Sequence, residues 1–67
     1  MAVKKLDLHG IRHSEVDRLV ENFVLLNQPP LDIVTGNSDS MHKFVIKVLD
    51  RHSIKWEQWE SSTIKVL

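Results

Sequence analysis

The sequence predicts a two-layer α/β sandwich, and three observations carry that expectation. Two stretches place apolar residues at helical spacing, a strand-like run ending in glycine precedes each of them, and two β-rich runs close the chain. The resulting order is β-α-β-α-β-β. Strands that alternate with helices imply right-handed parallel crossovers, and two crossovers that advance the same way put both helices on one face of the sheet. With the last strand returning antiparallel, the expectation is a mixed four-stranded sheet, one face packed on the helices and one face open.

The first run, "VKKLDLH", reads as a strand that stops at Gly10. Successive side chains on a strand point to opposite faces, so Leu6 and Leu8 share the core face while Asp7 and His9 share the other. Ser14 then caps a helix whose residues Val16, Leu19, Val20, Phe23 and Val24 recur at i, i+3, i+4, i+7 and i+8. "NQPP" ends it, because proline cannot continue a helix and restricts the residue before it. "LDIVTG" is the second strand, rich in β-branched residues and again closed by glycine.

The second helix repeats the pattern with Met41, Phe44, Val45, Val48 and Leu49, and takes Ser38 or Ser40 as its cap. "DRHS" closes it. "IKWEQWE" and "TIKVL", separated by "SS", then form a hairpin. Trp56 and Trp59 are three apart on a strand, so one faces the core and the other the open side.

Composition narrows the function classes. A chain of 67 residues makes one domain, residues 1–67, near the lower size limit for folding without a disulfide or structural metal. Cysteine is absent, which removes thiolate chemistry and Cys-ligated zinc. No run approaches the about 18 apolar residues that span a bilayer, so the expected setting is cytoplasmic, with no membrane partner. Nine Lys and Arg balance nine Asp and Glu. That neutrality argues against strong nonspecific nucleic-acid binding but leaves room for a local basic patch.

In open α/β sheets, ligands bind beyond the carboxyl ends of the parallel strands, where loops enter helix N-termini. Here those ends are "LDLHG-IRHS" and "IVTG-NSDS". If the first two strands are neighbours, one edge gathers Asp7, His9, Arg12, His13, Thr35, Asn37, Ser38, Ser40, His42 and Lys43. The second segment offers backbone N–H groups and a helix start, both suited to a phosphate, although Asp39 opposes an anion. A zinc site from Asp7, His9, His13 and His42 lacks any ligand spacing, and neither a metal nor another cofactor is expected.

The pair "LDLHG" and "TGNS" resembles the Smr (small MutS-related) domain family, whose members carry an LDLHG-type motif, a Glu in the first helix and a later TGxG or HGxG motif. The first motif is complete and Glu15 follows it; in the second, Thr35 and Gly36 match while Ser38 stands where the second glycine falls. The resemblance implies a fold similar to the C-terminal domain of a bacterial translation initiation factor. It also implies binding of RNA or DNA, endonucleolytic cleavage in several members, and ribosome association in some.

Residue roles follow as expectations. His9, as an imidazole, would be the proton-moving group and Asp7 its orienting carboxylate, without a metal. Gly10, Arg12, His13, Thr35, Gly36, Asn37, Ser38 and Lys43 would hold phosphate or nucleic acid. The alternative is a noncatalytic adaptor for nucleic acid or protein that has lost a competent phosphate loop, in which Asp7 and His9 only tie the strand end to backbone amides. A third is a small structural protein that oligomerises through the open sheet face.

Overall fold

The structure is a computed structural model that describes residues 3–36 and 38–67. Its elements are β1 (Lys4–Asp7), α1 (His13–Leu26), β2 (Leu31–Val34), α2 (Asp39–Arg51), β3 (Trp56–Glu60) and β4 (Thr63–Val66), the order the spacing predicts. The sheet runs β1-β2-β4-β3. β1 is parallel to β2, and β4 is antiparallel to both β2 and β3. Both crossovers therefore advance in one direction, and α1 and α2 pack side by side over the same core.

Alternation along the central strands sets which face is buried. Leu31 and Ile33 of β2 stand opposite Val66 and Ile64 of β4, and all four are buried. Val16, Val20 and Val24 of α1 and Met41, Val45, Val48 and Leu49 of α2 close over them. Each such side chain stabilises the fold by about 1.5–3 kcal/mol relative to an exposed one, so these stripes hold the two layers together. β4 occupies the centre because "TIKV" is apolar enough to be covered, whereas "WEQWE" suits an edge.

On the open face, Lys5, Asp32, Lys65 and Glu57 fall in register across the four strands, a row of alternating charge. Such cross-strand opposition favours the pairing while keeping this face wet. Trp56 sits on the helix side, half-buried, and donates its indole N–H to Asp50 at 3.2 Å. Trp59 lies on the open face, 58% exposed, with the Lys65 ammonium 4.5 Å from its ring centroid. The two tryptophans thus divide between the faces as strand alternation requires.

Two boundaries differ from expectation. β1 ends at Asp7, so His9 belongs to the turn that follows and not to the strand face. Leu8 is already fully buried, and its carbonyl accepts the Ile11 N–H to start that turn. α1 begins at His13 with Arg12 at the N-cap and no side-chain cap, which moves Ser14 inside the first turn. α2 is capped by Ser38, as expected, through a 3.2 Å bond from the Met41 N–H to the serine hydroxyl.

Candidate nucleic-acid interface

Parallel pairing of β1 with β2 sets Asp7 opposite Val34, and the Leu8 N–H donates to the Val34 carbonyl at 2.9 Å. The two strand ends are thus locked side by side. In the first loop, Ile11 N–H bonds to Leu8 C=O at 3.1 Å, closing a four-residue turn with Gly10 in its third position at φ +77°. That position of a type II turn needs positive φ, which explains the glycine of "LDLHG". His9, one residue earlier, is exposed. The Asp7 carboxylate accepts the His9 backbone N–H at 2.9 Å, so it fixes the turn and not the imidazole.

In the second loop, Thr35 is buried and its N–H donates to Ser62 C=O at 2.7 Å. Its hydroxyl donates toward the carbonyls of Ser62 and Gly36, 3.2 Å from each. Thr35 therefore spends both donors holding the loop to the β3–β4 turn. Gly36 has φ +70°, and a Cβ built there, or at Gly10, would meet nothing within 4 Å. Both glycine turns face open space. Asn37 lies outside the described residues. Ser38, exposed, uses its hydroxyl to cap α2.

The other residues expected at this edge divide between α1 and the two sides of α2. Arg12 is exposed at the start of α1, and the ring of His13 packs 5.0 Å from that of Phe44. Lys43, in the second turn of α2, lines a groove with Ser40, Phe44, Ile46 and Lys47. His42 turns the other way, edge-on to Trp56 at 6.4 Å, and lines a polar pocket of about 310 Å³ with Ser38, Asp39, Gln58 and Ser61. Among the described residues, no group of three His, Asp or Glu side chains is placed to hold a metal ion. Nor, among them, is any helix long and apolar enough to cross a membrane.

Sequence reasoning missed the part of Ser62, whose carbonyl anchors the Gly36 loop. No local signal marks it, because the partner is 27 residues away.

No family model and no curated protein matches the chain. Among solved structures, it is similar to the SMR domain of NEDD4-binding protein 2, with a TM-score of 0.66 and 23% identity over 100% of this chain and 86% of that one. That likeness spans the whole chain, helix pair and mixed sheet included, and the chain has the fold of an SMR domain.

Proposed function

We propose that the chain is an Smr-type nucleic-acid-binding module that seats a phosphate between the Gly10 turn and the Gly36 loop. In this reading, His9 moves the proton in metal-independent phosphodiester cleavage. The observation that supports it is the juxtaposition of two positive-φ glycine turns, tied by the Leu8–Val34 bond and both open on the side where a Cβ would stand. Glycine there lets a phosphate approach backbone N–H groups that a side chain would screen. Arg12, exposed at the start of α1, adds a cation at the same edge.

On RNA, the His9 imidazole takes the 2′-hydroxyl proton, the 2′-oxygen attacks the adjacent phosphorus, and the P–O5′ bond breaks. The products are a 2′,3′-cyclic phosphate and a 5′-hydroxyl whose proton comes from solvent. His9 is exposed and free of packing roles, so its removal should spare the fold. The second reading, binding without cleavage, is favoured by the Asp7 carboxylate, which is committed to the backbone of His9.

The test incubates the protein with end-labelled structured RNA and with branched DNA, with and without EDTA, beside His9→Ala. Cleavage that survives EDTA and disappears in His9→Ala, at an unchanged melting temperature, supports the catalytic reading. Binding without cleavage selects the adaptor, and absence of any binding overturns both.

A further inference from the structure

The groove on the outer side of α2, about 510 Å³, combines an apolar floor with two cations. Phe44 and Ile46 form the floor, half-buried against the core, and the His13 ring packs on Phe44 from the start of α1. Lys43 and Lys47 stand one helical turn apart at its rim, both exposed, and no acidic residue lines it. Like charges at i and i+4 are mildly destabilising on a helix, so the pair costs stability unless an anion lies across it. Asp39 and His42 line the polar pocket toward the hairpin, leaving the groove side of α2 cationic.

We infer that this groove carries a single-stranded segment of nucleic acid away from the Gly36 loop, a path that rests on the reading above. Lys43 and Lys47 meet successive phosphates, and one unstacked base lies on Phe44. Three features select this occupant. The cations repeat at one turn, about 5–6 Å, which suits a repeating anion. Aromatic floor and cationic rim together are the pattern that binds single strands without reading sequence. Finally, the groove begins at Ser40, in the first turn of α2, two residues beyond the Ser38 cap, and so continues the phosphate loop. A duplex keeps its bases stacked and cannot use the Phe44 floor.

The test is fluorescence anisotropy with labelled oligo(U), oligo(dT), an abasic oligomer and a duplex of equal length, titrated with salt. The wild type should prefer single strands over the duplex and base-bearing over abasic chains; the oligo(U) and oligo(dT) arms show whether ribose matters. Lys43→Gln/Lys47→Gln should lower the magnitude of the log–log salt slope by about 1.4, since each phosphate neutralised on a single strand contributes about 0.7. Phe44→Leu should erase the preference for bases, with its melting curve recorded to confirm folding. Lys5→Gln, on the open sheet face, should leave the slope unchanged. An unaltered slope in the double lysine variant, or an equal loss in Lys5→Gln, overturns the groove while the loop reading stands. A wild type that binds none of the four overturns both.

Discussion

Ser38 stands where the TGxG pattern has its second glycine, and the structure makes the consequence of that departure measurable. Its backbone is extended, at φ −97° and ψ 114°, a conformation open to any L-residue, so serine stores no strain there. Its hydroxyl accepts the Met41 N–H at 3.2 Å and satisfies one of the free donors at the start of α2. Removing a serine cap to alanine costs about 1 kcal/mol, and replacing it by glycine only a few tenths. In a domain of this size, 1 kcal/mol lowers the melting temperature by about 4–8 °C. Ser38→Ala should therefore melt about 4–8 °C below the wild type, and Ser38→Gly about 1–3 °C below, in thermal unfolding followed by far-UV circular dichroism. Nucleic-acid affinity of Ser38→Gly, measured by anisotropy, should stay within about twofold of wild type, because restoring the glycine opens no conformation that the loop uses here. Binding tightened tenfold in Ser38→Gly would show that the loop needs glycine at this point, and wild-type melting of Ser38→Ala would show that the cap contributes nothing.

Gly10 tests what the turn contributes to stability. A Cβ there meets no atom, so Gly10→Ala should lose only the conformational cost of its positive φ, about 1–2 kcal/mol, and Gly10→Asn less; urea titration of the two variants checks the ranking. Leu49 is fully buried between α2 and the sheet, and Leu49→Ala should cost about 2–5 kcal/mol. A chain this short has a total stability of about 3–10 kcal/mol, so that variant should be partly or wholly unfolded at 25 °C by circular dichroism.

The layers were legible because both helices write their burial into the sequence at one period: Val16, Val20 and Val24 in α1, and Met41, Val45, Val48 and Leu49 in α2. β4 was recognisable as a strand, and its central place agrees with the apolarity of "TIKV" beside the polar "WEQWE". The end of β1 was not legible. Alternation in "LDLH" continues through His9, whereas the turn that removes His9 from the strand depends on the Leu8–Ile11 bond. Ser14 has the chemistry of a cap but the wrong position, since α1 already starts at His13. The site divides the same way: motif residues marked the two glycine turns, while the commitments of Asp7 and Thr35 to backbone groups come from the folded geometry.

A formal net charge of zero does not by itself oppose a nucleic-acid ligand, because the relevant length is the screening length and not the size of the protein. At physiological salt that length is about 8 Å, whereas the molecule measures 28 × 22 × 17 Å. A phosphate in the α2 groove would feel Lys43 and Lys47 at full strength and the acidic residues of distant faces hardly at all. Some carboxylates are also occupied: Glu15 pairs with Arg18, and Asp17 approaches Arg51 at 3.8 Å. Neutral composition is thus compatible with a locally cationic path. Lowering the salt lengthens the screening distance until the acidic faces are felt, so affinity should level off below about 0.01 M, where that distance reaches about 30 Å and spans the whole molecule. A strongly basic protein would instead keep gaining affinity over the same range.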